Sequence, residues 1–163
     1  MNHKRTMITF DRGRNRFNYR VAGIALDNNR VLLHTNEKDD FWSFPGGRVE
    51  MGEASEFALV REMQEELNVD IEIIRPLWIV EDFFDYAWQN YHEICFYYLM
   101  QFPERSPYLG KNKSFSGAEN DFEFQWFATH PDVLARLPLL PSFLQNSLEN
   151  LPVSVQHLVH RDR

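Results

Sequence analysis

Ala54–Leu67 is the segment that most constrains the fold. It has no glycine or proline and is built mostly of good helix formers, which predicts a helix. A helix turns about 100° per residue, so Glu62, Glu65 and Glu66 fall within an arc of about 100° on one side. Phe57, Val60, Met63 and Leu67 form an apolar stripe nearly opposite. Three carboxylates therefore crowd one face. Glu62 and Glu66 repel across one turn at a cost of about 0.2–0.5 kcal/mol. All three also sit in the last two turns, where the helix dipole disfavours anions. A solvated polar face is the ordinary reading of such residues. The charge placement favours a second one, in which a hard divalent cation, Mg²⁺ or Mn²⁺, offsets the repulsion through carboxylate oxygens. Asn68 follows the helix where a left-handed residue often caps the end, a position that suits Asn after Gly.

The remaining elements follow from apolar runs and turn signals. Strands are expected at Tyr19–Leu26 and, after the Asp27-Asn28-Asn29 turn, from Val31-Leu32-Leu33. A short aromatic strand at Phe41–Phe44 is expected to stop at Pro45-Gly46-Gly47. Two long strands, Ile71–Val80 and Tyr91–Phe102, are expected around a polar turn at Asp85–Asn90. A long polar loop covers Glu104–Asn120, Phe122–Phe127 reads as another strand, and Pro131–Leu137 and Ser142–Leu151 read as closing helices. Strands on both sides of a central helix predict a mixed sheet flanked by helices, in a single domain over residues 1–163.

The chain of 163 residues carries a net charge of -7 and so lacks the broad basic footprint of a duplex-binding protein. A small phosphorylated substrate stays compatible, because bound cations reverse the local field. The one cysteine, Cys95, excludes an internal disulfide, and its apolar neighbours predict a buried, inert thiol. No apolar run reaches membrane-spanning length, and a cytoplasmic protein without membrane contact is expected.

The segment Gly47-Arg48-Val49-Glu50-Met51-Gly52-Glu53, seven further residues, and then Arg61-Glu62-Met63-Gln64-Glu65-Glu66-Leu67-Asn68-Val69 resembles the signature box of the Nudix hydrolases. Gly47, Glu53, Arg61, Glu62, Met63, Glu65, Glu66 and Val69 match it, and Asn68 stands where the family usually has Gly. Phe44-Pro45-Gly46-Gly47 also looks like the usual approach to the box.

The resemblance implies an α/β/α sandwich with a mixed β-sheet. It also implies metal-dependent hydrolysis of a nucleoside diphosphate linked to another group. Carried over, Glu62, Glu65 and Glu66 are the expected metal ligands, with a backbone carbonyl near Gly46 or Gly47. Glu53 and Arg61 are expected to brace the loop against the helix. The catalytic carboxylates are expected among Glu62, Glu65 and, from the later loop, Glu119, with Glu93 as a further base candidate. Tyr86 and Trp88 are the candidates for stacking on a base. A Tyr in this neighbourhood is associated with dinucleoside polyphosphates. Members often form dimers, so a homodimer is compatible with the resemblance. Two rival activities share the fold: a non-catalytic nucleotide sensor and a prenyl diphosphate isomerase. An RNA-end pyrophosphohydrolase is a third reading, against which the net charge counts.

Overall fold

A computed structural model of the chain describes residues 4–118 and 121–162. Its strands are β1 (Thr9–Arg12), β2 (Asn15–Asp27), β3 (Arg30–Asn36), β4 (Gly46–Arg48), β5 (Glu72–Tyr86), β6 (Gln89–Gln101), β7 (Phe115–Ser116), β8 (Phe122–Ala128) and β9 (Gln156–Asp162). The helices are α1 (Ser55–Leu67), α2 (Pro131–Leu134) and a 3-10 turn at Ser142–Asn146. The sheet order is β7-β8-β3-β2-β6-β5-β9, with β1 and β4 also pairing with β2.

Two kinds of pairing build this mixed sheet. Neighbours in the chain form antiparallel hairpins. Asn28 and Asn29 (φ 49° and 59°) turn β2 into β3, and Ala87 and Trp88 (φ 48° and 68°) turn β5 into β6. Two-residue hairpin turns commonly require this left-handed backbone. The centre of the sheet is parallel. There β2 runs beside β6 from Asn15 opposite Asn90 to Ala25 opposite Met100, and at the edge of the sheet β9 runs parallel to β5. Strand β3 meets β2 only at Leu26–Val31 and Asp27–Arg30. Lower down, β4 takes that side of β2, opposite Arg20, Val21 and Ala22. The sheet is thus split between β2 and β3, and the split positions the site.

Each face carries its own core. On one, Ala58, Leu59, Met63 and Leu67 of α1 pack on Val21, Ala25, Tyr98 and Met100. On the other, Leu134, Leu139, Leu144 and Leu148 pack on Ala22, Ile24, Leu77 and Val80. Helices therefore flank both faces. Asn68 ends α1 in the left-handed conformation (φ 52°, ψ 44°), and its N–H bonds the Gln64 carbonyl at 2.9 Å.

Several local expectations need correction. Phe41–Phe44 makes only isolated bridges, Ser43 to His34 and Trp42 to Leu139. The strand here is Gly46–Arg48, where a Cβ on Gly46 would stand 2.1 Å from the Val21 carbonyl oxygen, so the bare glycine lets the chain close on β2. The buried stripe of α1 is Ala58, Leu59, Met63, Glu66 and Leu67, while Phe57 is 65% exposed. The helix is rotated so that Glu66 enters the protein. Pro131–Leu137 is helical only to Leu134, and Ser142–Leu151 gives just the 3-10 turn. The long polar loop also contains β7, and β1 and β9 add edge strands that the apolar pattern did not signal.

Candidate active site

The box folds around Arg61. The loop from Gly47 to Glu53 doubles back on α1, and the Arg61 guanidinium closes it. Its Nε donates to Glu53 Oε1 at 2.8 Å and one terminal nitrogen to Glu53 Oε2 at 3.0 Å. That nitrogen also reaches the Arg48 carbonyl at 3.1 Å, and the other donates to Glu62 at 2.8 Å. Glu65 lies 3.5 Å from the same guanidinium and is bonded by Arg5. This two-pronged geometry is what arginine offers a carboxylate. The contact with Arg61 holds the Glu53 carboxyl below its ordinary range.

Glu62 and Glu66 meet the rest of the protein at two points. A Cβ added to Gly47 would stand 2.2 Å from the Glu62 carboxyl carbon, so the absent side chain is what lets that carboxylate approach the backbone. Burial is the main cause raising the Glu62 carboxyl, against the opposing pull of Arg61. Glu66 is only 4% exposed, and its Oε2 lies 3.7 Å from His34 Nδ1. Burial pushes the His34 imidazole down to about 3, so it is neutral at pH 7. Among the described residues no three carboxylate, imidazole or thiol groups are already gathered as a metal cage. The donor set is nevertheless hard carboxylate oxygen beside a side-chain-free backbone, which suits Mg²⁺ or Mn²⁺.

Gly47 and the buried His34 help line a cleft of about 630 Å³ at the split in the sheet. That is the size of an ordinary small-molecule site. Its floor holds Asn18, Arg20, Asp82 and Glu93. Asn18 donates to Glu93 at 2.6 Å, and Arg20 donates to the Phe44 carbonyl at 3.0 Å. Burial raises the carboxyls of Asp82 and Glu93. Asp82 lies 3.0 Å from His160 Nδ1, and Asp162 anchors the Ser142 hydroxyl and N–H at the inner end. Aromatic side chains wall the cleft. Phe84 stacks on Tyr91 with centroids 4.9 Å apart, and Tyr86 stands edge-on to Phe41 at 6.0 Å. The Tyr86 hydroxyl donates to Asp39 at 2.7 Å, and this bond pushes the phenol up to about 12.

The sequence-based candidates are thus placed unequally. Glu53, Glu62 and Glu65 meet at Arg61, Gly47 lies against Glu62, Glu66 turns inward beside His34, and Gly47, Tyr86 and Glu93 line the cleft. Trp88 does not line it; it stands 90% exposed at the tip of the β5–β6 hairpin. Glu119 lies outside the described residues. Asn18, Arg20, His34 and Asp82 were missed. A polar residue inside an apolar strand was their only signal, and only the register of distant strands shows that they meet.

Comparison with known proteins agrees with this geometry. The NUDIX domain family model matches residues 17–141. The chain belongs to the NUDIX domain family. Among solved structures, a MutT NUDIX hydrolase from Burkholderia pseudomallei is 26% identical with a TM-score of 0.60, covering 82% of this chain and 96% of that one. An ADP-ribose pyrophosphatase from Streptococcus suis shares the fold at 17% identity and a TM-score of 0.53, covering 87% of this chain and 98% of that one. Among curated proteins, an 8-oxo-dGTP diphosphatase of Proteus vulgaris is 55% identical over 56 residues, 31% of this chain and 50% of its own length. An RNA pyrophosphohydrolase of Ruthia magnifica is 38% identical over 72 residues, 40% of each. The chain thus spans about two fifths to half of the length of these curated relatives. No helix among the described residues is long and apolar enough to cross a membrane.

Proposed function

We propose that this NUDIX chain is a cytoplasmic pyrophosphohydrolase that uses water to cleave the pyrophosphate of a nucleoside diphosphate joined to another moiety. Nucleotide sugars, dinucleoside polyphosphates and nucleoside triphosphates are the candidate classes. The observation that carries the reading is the junction of an Arg61-braced box that keeps its carboxylates with an aromatic cleft at Gly47 and His34.

Glu62, Glu65 and Glu66, with the Gly47 carbonyl, would hold Mg²⁺ or Mn²⁺. When bound, the cation supplies charge for the phosphates and lowers the pKa of water. The protein's own residues do the rest. Arg61 fixes the position of Glu62 through the loop and helix together. Glu62, with Glu65 beside it, is the carboxylate assigned to accept the proton of the attacking water, and Glu119 is the loop candidate for the same task. Phe84, Tyr86 and Tyr91 offer ring faces to a base, and the cleft floor offers hydrogen-bonding partners to its edge. Trp88, carried over as a stacking candidate, has no part in the cleft itself.

Cys95 is 1% exposed and its thiol is pushed up by burial, so the cleft offers no reactive thiol for the isomerase reading. The test is a phosphate-release screen of nucleoside diphosphate derivatives with Mg²⁺ and with Mn²⁺, comparing the protein with Glu66→Gln. Turnover should fall at least about tenfold in the variant with folding retained. Full activity in Glu66→Gln removes the ligand assignment. Absence of turnover on every compound favours the sensor reading.

A further inference from the structure

The face of the sheet that carries α1 runs past the helix toward the two hairpin tips. There, one residue from each of five strands stands in a single row: Phe10, Phe17, His92, Phe83 and Arg161. Their side chains touch in sequence. Phe10 stacks on Phe17 with centroids 5.2 Å apart, and Phe17 meets His92 edge-on at 5.7 Å. His92 stacks on Phe83 at 4.5 Å, and the Arg161 guanidinium sits 4.2 Å from the centre of the Phe83 ring. With strands about 4.8 Å apart, the row is about 19 Å long.

This row is not core. None of its members belongs to either buried cluster. Phe10 is 64% exposed, His92 and Arg161 are exposed, and Phe17 and Phe83 are half-buried. The residues next to them in the strands, Asn18, Glu93 and Asp82, are buried and face the cleft. At this end the sheet inverts the usual pattern, with polar groups inward and rings outward. Burial of apolar surface is worth about 25 cal/mol per Å², so an exposed ring row calls for an occupant.

Charge says which one. The tip of β1–β2 reads Arg12-Gly13-Arg14, and Arg161 closes the other end of the row. Of the acids around the row, Asp11 is engaged by Arg16 at 2.7 Å and Glu81 by His157 at 2.7 Å, which leaves the exposed Asp85 at the β5 tip against three arginines. The two tips lie together. Asn90 N–H bonds the Arg14 carbonyl at 2.8 Å, and Arg14 Nε bonds the Trp88 carbonyl at 3.2 Å. Trp88 is thereby held outward beside Tyr86 and Ala87, which line the cleft mouth. A second copy of the chain docked face to face would set these arginines against their equals. A single nucleic-acid strand would instead bring phosphates to the arginines and bases to the rings.

We propose that the Phe10–Phe17–His92–Phe83–Arg161 row, with Arg12, Arg14 and Trp88 at its border, is a binding platform for single-stranded nucleic acid. It lies on the sheet face opposite the cleft floor and stands whether or not the cleft is a hydrolase.

Fluorescence anisotropy of a 3′-labelled single strand of about 12 nucleotides, as RNA and as DNA and without divalent cation, tests it on the full chain. Single strands should bind, and the corresponding duplex should bind at least about tenfold more weakly. Equal binding of RNA and DNA supports stacking on the rings; preference for RNA supports it with an added contact to the 2′-hydroxyl. Phe10→Ala with Trp88→Ala, both on exposed side chains, should weaken binding at least about tenfold. Arg12→Gln with Arg161→Gln should also lower the salt dependence, by about 0.7 for each phosphate no longer neutralised. Circular dichroism confirms that the variants fold, and phosphate release separates a failure here from a failure of the hydrolase reading. No binding at about 100 μM strand, a preference for duplex, or undiminished binding in both variants overturns the proposal. A mass that doubles with concentration and is halved by Phe10→Ala overturns it in favour of self-association.

Discussion

Replacing Arg61 with Met tests the reasoning about the box most directly, because it keeps the aliphatic stem and removes only the guanidinium. That group makes two bonds to Glu53, one to Glu62 and one to the Arg48 carbonyl. An exposed ion pair is worth at most about 1 kcal/mol. Removing one partner of a fully buried pair costs about 3–5 kcal/mol. The side chains of Arg61, Glu53 and Glu62 are only 17–18% exposed, which places the cost between these limits and nearer the second. The expected loss is about 2–3 kcal/mol, or about 5–10 °C in Tm for a chain of this size. Urea denaturation of the protein, Arg61→Met, Glu53→Gln and the double variant gives the interaction itself. A coupling of about 1–2 kcal/mol between Arg61 and Glu53 is expected. A loss below about 0.5 kcal/mol in Arg61→Met, or additive single effects, refutes the claim that this pair braces the loop.

Gly47→Ala places a methyl group 2.2 Å from the Glu62 carboxyl carbon; phosphate release should fall at least about tenfold, with a stability loss of about 1–3 kcal/mol by urea denaturation. The Tyr86 phenol is raised to about 12 by its bond to Asp39. Its stabilising contribution is complete below the free phenol's ordinary range, near 10, and is lost as pH rises toward 12. The alkaline decline of Tm should therefore be shallower in Tyr86→Phe, and an unchanged decline removes the argument. Cys95 should resist an aromatic disulfide reagent in the native protein and react fully in denaturant; rapid native labelling would place the thiol at the surface.

The sequence made the helix, its cap and the box legible, because local signals determine them. Ala54–Leu67 needed only propensity, and Asn68 only the steric preference of a helix end. The Arg61–Glu53 pair came from the resemblance, and the structure supplies its two-pronged bond. What failed depended on partners far along the chain. Phe57 reads as part of a buried stripe, yet α1 packs Ala58 and Leu59 with Met63 and Leu67 on the sheet, and Glu66 goes inward while Phe57 stays exposed. Gly46–Arg48 has no strand propensity and pairs because Val21 and Ala22 leave room for a bare backbone. Asn18 and Glu93 sit 75 residues apart, and no periodicity marks them as neighbours. Phe84 and Tyr91 meet in the cleft wall only through the pairing of β5 with β6.

The parallel pairing of β2 with β6 also sets an order of events in folding. Hairpins such as β2–β3 and β5–β6 close over a few residues, whereas Asn15 must find Asn90 across a long chain segment, a slow step by loop entropy. The bottom of the cleft is sewn along that seam. A folding chain can own its hairpins, its helix and even the Arg61 clasp while having nowhere to put a nucleotide, so recovery of binding on refolding should trail recovery of secondary structure.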